Sequence, residues 1–171
     1  NWKLLQDTML DNYHVQRLHQ NTLAKYFEDV NEYTDMIGPH VRSASGRKGF
    51  TDADINEDFE VSRRRTTLGY ALYPQGSIVT SPRYISLVIM RPVTVDQTLV
   101  DYYMLVTDRP GDDESEAKLE ASWALMDIGF GKEDFWAAEL GHKGLKTGVV
   151  PELLLGAMER RIAMFREAML E

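Results

Sequence analysis

Hydrophobic spacing divides the chain into three zones. In the first zone, apolar residues recur at helical spacing: Leu4, Leu5, Met9, Leu10 and Tyr13. This pattern is typical of a helix that buries one face, and it predicts that residues 1–35 are mostly helical. Turn residues follow, with a short strand expected at 39–44. The acidic segment 51–60 has few apolar residues and predicts a mobile loop, either a lid or a disordered segment.

The middle zone, from Leu68 to Asp108, contains the short apolar runs of β-strands. Runs rich in Val, Ile and Tyr are separated by turn residues, as at Pro74-Gln75-Gly76. They cover residues 68–73, 77–80, 84–93 and 98–107. Strands that follow one another through short turns favour an antiparallel meander over a parallel sheet.

The last zone is predicted to be helical again. Acidic residues at 112–116 complement the dipole of a helix that begins there, and Gly129-Phe130-Gly131 is expected to interrupt it. Pro151 is a favourable first residue for a final helix, and apolar residues recur at helical spacing over 152–170. The order of helix, sheet and helices predicts an α+β fold with helices packed on one face of an antiparallel sheet.

Composition narrows the possible functions. A chain of 171 residues is long enough for one domain with a sizeable core. Its net charge of −8 gives no electrostatic support for binding nucleic acid or an anionic membrane, and no apolar stretch is long enough to span a bilayer. The chain contains no cysteine, which excludes disulfides, zinc-thiolate sites and cysteine nucleophiles. We therefore expect a cytoplasmic protein with neither nucleic-acid nor membrane partners.

Two histidines near the N terminus, His14 and His19, are candidate metal ligands. Two imidazoles and one carboxylate, with open coordination positions, suit an Fe(II) ion that activates O2. On a continuous α-helix, residues five apart lie about 140° apart around the axis and roughly 7.5 Å along it. The helix must therefore break between the two histidines, around residues 15–18. Taken alone, such a pair favours two surface or capping histidines over a metal site.

The carboxylate ligand must come from another part of the chain. Glu133, Asp134 and Glu139 are candidates in a predicted helix. Glu133 and Asp134 would point about 100° apart on that helix, so only one of them can face the site. Asp11 lies one helical turn before His14 and could orient its ring, although a solvated helix acid is the alternative. The motifs of P-loop, dinucleotide-binding, serine-hydrolase and H-E-x-x-H sites are absent from the sequence.

Several short motifs stand in the order found in one enzyme family. They are Asn1-Trp2-Lys3, Asp11, Tyr13-His14, the H-x4-H pair, Glu133-Asp134, Glu139 and Gly144-Leu145. With them the chain resembles the C-terminal catalytic domain of the Rieske-type non-haem iron (aromatic-ring-hydroxylating) oxygenase alpha subunit. The resemblance is specific at residues 1–19 and 133–145. It implies the helix-grip (Bet v 1-like) form of the α+β fold, an antiparallel sheet packed by a long C-terminal helix.

The resemblance also implies roles for individual residues. His14, His19 and Asp134 would hold one mononuclear Fe(II), so the resemblance selects Asp134 among the three acids. Asp11 would carry electrons from a Rieske cluster in a neighbouring subunit. His142 stands where the family often has glutamine and would line the substrate pocket, although an ordinary polar helix end is the alternative.

A Rieske [2Fe–2S] cluster needs two cysteines and two histidines, so this cysteine-free chain cannot hold one. We expect residues 1–171 to form a single mononuclear-iron catalytic domain, as part of a longer protein or as a stand-alone relative. The cluster and its reductase would then lie on a partner or a missing domain. The family's trimers imply a possible homotrimer.

The expected reaction is oxygenation of a small organic substrate. The resemblance implies cis-dihydroxylation or monooxygenation with O2, and it implies an aromatic substrate. Two other functions stay open from the sequence. One is a non-catalytic helix-grip domain that binds a small ligand without iron, and the other is a regulatory or assembly subunit that keeps the motif without metal.

Overall fold

The computed structural model describes residues 1–51, 53–54 and 58–170. The helices are α1 (Trp2–Leu10), α2 (Val15–Leu18), α3 (Phe59–Arg65), α4 (Asp113–Met126), α5 (Phe135–Lys146) and α6 (Arg160–Ala168). A π-helix spans Asp127–Asp134, and single 3-10 turns span Ala24–Tyr26 and Ala157–Glu159. The strands are β1 (Phe27–Ile37), β2 (His40–Arg47), β3 (Thr66–Leu72), β4 (Gly76–Thr80), β5 (Ile85–Pro92) and β6 (Thr98–Leu105).

The six strands form one antiparallel sheet in sequence order, from β1 to β6. Each strand pairs with the next strand along the chain, so every connection joins two neighbouring antiparallel strands. The predicted meander and the α+β fold class are confirmed. In the described part of the chain, no helix has the length and apolar character needed to cross a membrane.

Strand β1 lies inside the region that was expected to be mostly helical. The helix prediction for residues 1–35 is wrong from Phe27 onwards, because the helical spacing of apolar residues ends at Tyr13. The sequence of β1 hides its strand character because its inward positions are polar. Glu32 and Thr34 line an internal cavity, whereas Tyr33 is 69% exposed.

The helix-facing side of the sheet is apolar at one end and polar at the other. At the apolar end, Val41 and Ala71 pack with Leu10, Ile162 and Phe165. Leu5 of α1 packs beside them on Val88 and Met90. Farther along the same strands, small polar side chains replace the apolar ones and line the cavity: Ser43, Ser45, Thr67 and Ser86. Helices therefore cover only part of the sheet, and the polar part is left as the floor of a cavity.

The longest helical stretch runs without interruption from α4 through the π-helix into α5. Gly129-Phe130-Gly131 was expected to break this helix, and it widens it into a π-helix instead. Gly129 is buried, and a Cβ at this position would lie 3.0 Å from Leu23 Cδ1. The glycine therefore permits close packing against the segment that follows His19, rather than ending the helix.

The final helix begins at Arg160, not at Pro151 as the apolar spacing predicted. Residues 151–156 have no regular structure, and Leu154 is 92% exposed. These residues have no core to pack against, whereas Ile162 and Phe165 of α6 are buried. The loop expected at 51–60 lies partly outside the described residues, and α3 begins within it at Phe59, after the N-cap Asp58.

Candidate metal centre

His14 and His19 flank the single turn of α2. Helix α1 ends at Leu10, and Asp11 has an extended backbone, so the chain leaves the first helix before His14. His19 caps the other end of α2 with a non-helical backbone. The helix was expected to break at residues 15–18, but these residues form one helical turn and the breaks lie on either side of it. Because both histidines occupy caps, their rings are free to converge, and the ring centroids are 5.2 Å apart.

Asp134, at the end of the π-helix, brings a carboxylate to the two rings. Its Oδ1 atom lies 3.2 Å from His19 Nε2 and 3.5 Å from His14 Nε2. One donor atom from each of the three residues lies within 4.8 Å of the other two. Asp134 and His19 are 2% exposed, so the cluster is shielded from solvent on most sides.

The other nitrogen of each ring is held by an acceptor. His14 Nδ1 contacts the backbone carbonyl oxygen of Asp11. His19 Nδ1 lies 2.7 Å from Glu133 Oε2, which also accepts a hydrogen bond from Thr22 Oγ1 at 2.7 Å. Because carbonyl and carboxylate oxygens accept, each Nδ1 carries the proton and each Nε2 presents a lone pair to Asp134. Outer contacts of this kind orient histidines that bind metals.

These tautomers leave three acceptors facing one another. Asp134 Oδ1 is buried and has no hydrogen-bond partner among the described residues, although two imidazole nitrogens lie close to it. A buried carboxylate oxygen without a partner is costly unless a cation compensates it. Two imidazole nitrogens and one carboxylate oxygen also match the ligands preferred by non-haem Fe(II). The residues present therefore fit a divalent metal ion.

The electrostatics of the cluster favour a positive charge at its centre. Burial alone would raise the pKa of Asp134, but the neighbouring imidazoles of His14 and His19 hold it below its ordinary value. Burial alone would lower the pKa of His19, but the carboxylates of Asp134 and Glu133 raise it above its ordinary value. A divalent metal ion at the centre would supply that charge, bound through the unprotonated Nε2 atoms.

Glu133 was one of three candidate ligands, and its contact with His19 was not anticipated. Only Asp134 lines the cavity, in agreement with the expectation that one of the two acids can point at the pocket, whereas Glu133 contacts the opposite nitrogen of His19. The two carboxylates approach the ring from different directions, so they need not point the same way. The only sequence signal for Glu133 was its position next to Asp134. The third candidate, Glu139, is exposed.

The structure places Asp11 beside His14 but uses its backbone for the contact. The Asp11 carbonyl oxygen orients the ring, whereas its carboxylate accepts a hydrogen bond from the Tyr13 N–H at 3.0 Å. Burial raises the pKa of the Asp11 carboxyl, and the positive charge of a protonated His14 opposes that rise. Asp7, Asp11 and His14 also line a groove of about 270 Å³.

His142 is not brought to the cluster. Its Nε2 atom lies 2.7 Å from Asp96 Oδ1, in the turn that joins β5 and β6. Lys146 and His142 together lower the pKa of Asp96. His142 is not among the residues that line the cavity, so its predicted role in substrate binding gains no support from this arrangement.

A cavity of about 830 Å³ opens onto His14, His19 and Asp134. Its floor is the polar end of the sheet. Apolar side chains from the helices and loops form much of the remaining wall: Met9, Val15, Leu23, Met126, Phe130 and Met158. The cavity is large enough for a small organic molecule, and the cluster would present any bound metal ion to that molecule.

Solved structures with the same fold include several of one Rieske monooxygenase. A quaternary ammonium Rieske monooxygenase, CntA, in complex with the inhibitor MMV12 has a TM-score of 0.74 and 16% identity, with 99% of this chain and 45% of that chain covered. Its complex with L-carnitine has a TM-score of 0.72 and 16% identity, with the same coverage. At this identity the likeness shows the fold alone. The chain spans less than half the length of these proteins.

The sequence of the chain shows which family it belongs to. A search of curated protein sequences finds no match. Over residues 1–171, however, the chain matches the family described as ring hydroxylating alpha subunit (catalytic domain). The fold, the histidine pair and the distant acid all agree with that assignment. The chain belongs to the ring-hydroxylating alpha-subunit family and corresponds to its catalytic domain.

Proposed function

We propose that this chain is the catalytic domain of an oxygenase whose mononuclear Fe(II) is held by His14, His19 and Asp134. The observation that carries the proposal is the buried Asp134 Oδ1, which lacks a hydrogen-bond partner in the described part of the chain and faces the Nε2 atoms of both histidines. When bound, the iron would supply activation of O2. Three ligands from the protein leave coordination positions open for O2.

The chain's own residues hold and shield the site. Glu133 and the Asp11 carbonyl fix the two rings with their Nε2 atoms turned inward. The cavity confines a substrate beside the cluster, and its apolar wall excludes water from the reacting atoms. The substrate is then a small organic molecule, oxygenated by monooxygenation or cis-dihydroxylation.

Electrons would come from a Rieske [2Fe–2S] cluster outside this chain and a reductase that supplies it. Asp11 is half-buried beside the groove that it shares with Asp7 and His14, which suits a route from a docked partner. In this proposal the partner is a neighbouring subunit, and the assembly is a homotrimer. The structural neighbours are described as monooxygenases with inter-subunit electron transfer, which supports the same arrangement.

The test is the metal content of the full chain after anaerobic reconstitution with Fe(II). We expect about one iron per chain, because the described residues contain one such cluster. His14→Ala should lose it, and His142→Ala, which changes a histidine outside the cluster, should retain it. Iron that does not depend on His14 would exclude this site. In that case the cavity would be better explained by a non-catalytic domain that binds a small ligand.

A further inference from the structure

Arg47 projects from the last position of β2 into the cavity. Ser43, Ser45 and Arg47 alternate along the strand, so all three lie on its inward face, and all three line the cavity. Arg47 Nη1 donates a hydrogen bond to Thr67 Oγ1 on the adjacent strand at 3.1 Å. This contact fixes one side of the guanidinium, and among the described residues no protein acceptor binds its remaining N–H donors.

Arg47 also lacks a carboxylate partner within the described residues. The salt bridges around the cavity use other groups, because Arg161 pairs with Glu32 and Lys48 pairs with Glu28. Burial lowers the pKa of the Arg47 guanidinium, and the nearest ionisable groups that offset this effect are tyrosines, not acids. The cavity therefore contains a partly desolvated positive charge with free donors.

Aromatic rings flank the same guanidinium. Its Cζ atom lies 5.3 Å from the centroid of the Phe27 ring and 6.0 Å from that of the Tyr26 ring. Tyr26 and Phe27 both line the cavity, and a cationic ligand would need the faces of their rings for cation–π contact. Arg47 already occupies them and would repel a ligand cation. This end of the cavity is therefore suited to an anion.

We propose that Arg47 and Thr67 form a carboxylate-binding subsite, and that the substrate is an organic acid whose carboxylate is held there. A guanidinium matches the planar geometry of a carboxylate and can bind it through two parallel hydrogen bonds. The apolar wall would hold the rest of the molecule beside the metal cluster. That the bound acid is the oxygenase substrate rests on the proposed function, whereas the subsite itself does not.

The experiment compares ligands that differ in charge but hardly in shape. Benzoate and benzamide, hexanoate and hexanamide, and 3-phenylpropanoate and its amide are titrated into the iron-loaded full chain by calorimetry. Phenyltrimethylammonium tests the opposite charge. In at least one pair the acid should bind about tenfold or more tightly than the amide. Arg47→Gln should remove that preference without changing the affinity for the amide, and Arg47→Lys should keep part of it.

Arg83→Gln is the matched control, because Arg83 is another arginine that lines the cavity but is exposed. It should retain the preference for the acid. The inference is overturned if no acid binds more tightly than its amide, if the preference survives in Arg47→Gln, or if the quaternary ammonium binds best. The iron content of the same samples separates the two proposals. Iron without acid preference removes only the subsite, and acid preference without iron removes only the oxygenase site.

Discussion

Glu133 anchors His19 from a distance of 114 residues along the chain, with 2.7 Å between Glu133 Oε2 and His19 Nδ1. The opposite nitrogen of the same ring lies 3.2 Å from Asp134 Oδ1. The ring is thus held between two consecutive acids of one helix. Glu133 makes the contact that orients a metal-binding histidine, and Asp134 occupies the position of a metal ligand.

Glu133→Gln should weaken iron binding while leaving all three proposed ligands in place. An amide accepts less strongly than a carboxylate, so the tautomer and orientation of His19 are less well fixed. Loss of such an outer contact typically costs about 10–100-fold in metal affinity. Competition with a calibrated chelator measures the change. Glu139→Gln, which changes an exposed acid of α5, should bind iron as the unaltered chain does, and equal affinities in both variants would contradict the role of Glu133.

Iron should raise the melting temperature of the chain. A ligand at a hundred times its Kd adds about 2.7 kcal/mol to the free energy of unfolding, which corresponds to roughly 5–10 °C for a domain of this size. Asp134→Asn should abolish the increase, because it removes the negative ligand. Asp127→Asn changes an exposed acid at the start of the same π-helix, and its melting temperature should rise with iron as before. Calorimetry with and without Fe(II) provides the measurement, and an undiminished shift in Asp134→Asn would be decisive against the site.

Two glycines of the π-helix should respond in opposite ways to the same substitution. A Cβ at Gly129 would lie 3.0 Å from Leu23 Cδ1, whereas one at Gly131 would have only Asp127 within 4 Å, at 3.4 Å or more. Gly129→Leu should lower the free energy of unfolding by about 1–3 kcal/mol, through overpacking. Gly131→Leu should be neutral or stabilising, because it replaces glycine at an exposed helical position. Urea unfolding compares the two, and similar losses in both would show that the close approach at Leu23 is unimportant.

Arg161 and Glu32 should be strongly coupled in stability. Arg161 is 3% exposed, its Nη1 atom pairs with Glu32, and its Nη2 atom is buried without a partner. Glu32→Gln leaves a buried charge uncompensated and should cost about 3 kcal/mol. The double variant Glu32→Gln/Arg161→Met should recover most of that loss, because it removes the charge as well. Glu28→Gln disrupts a more exposed pair with Lys48 and should change stability little, so additive losses in the double variant would rule out the coupling.

Tyr102 should make the folded state sensitive to alkaline pH. Burial raises its pKa to about 12, its hydroxyl lies 3.0 Å from Ser86 Oγ, and its ring packs against Trp123 and Phe130. An unfolded tyrosine ionises near pH 10, so above that pH the unfolded chain loses a proton that the folded chain keeps. Stability should therefore fall as pH rises from about 10 to about 12. Denaturation midpoints across this range should fall less steeply in Tyr102→Phe, and identical slopes would exclude Tyr102 as the cause.

The strands of the middle zone were predicted well, and the polar inner face of the sheet was not. The runs at 68–73, 77–80, 84–93 and 98–107 correspond to four strands because their alternation marks one buried face. Strand β1 was missed because its inward residues, such as Glu32 and Thr34, face a cavity instead of a core. A pattern based on burial of apolar residues cannot identify a strand whose inward side is polar.

The site was also predicted only in part, because a sequence reveals motifs but not the contacts between distant residues. The sequence selected His14, His19 and Asp134 through motif order, and the structure brings their donor atoms together. It could not show that Glu133 would meet His19, because that contact depends on how the π-helix packs on the segment after His19. It suggested that Asp11 orients His14, but it could not show that a backbone carbonyl makes the contact. Backbone acceptors leave no residue-type signal.

The number of residues in the π-helix determines how α5 is oriented around the axis relative to α4. Several of its residues are exposed, among them Asp127, Ile128, Gly131 and Lys132, so their side chains face few packing constraints. Removing any one of them would nevertheless change how far the residues downstream are turned around the helix axis. Either Glu133 and Asp134 would swing away from His19, or Phe135 and Ala138 would leave the core they pack against. Substitutions are therefore tolerated in this segment far better than changes of length.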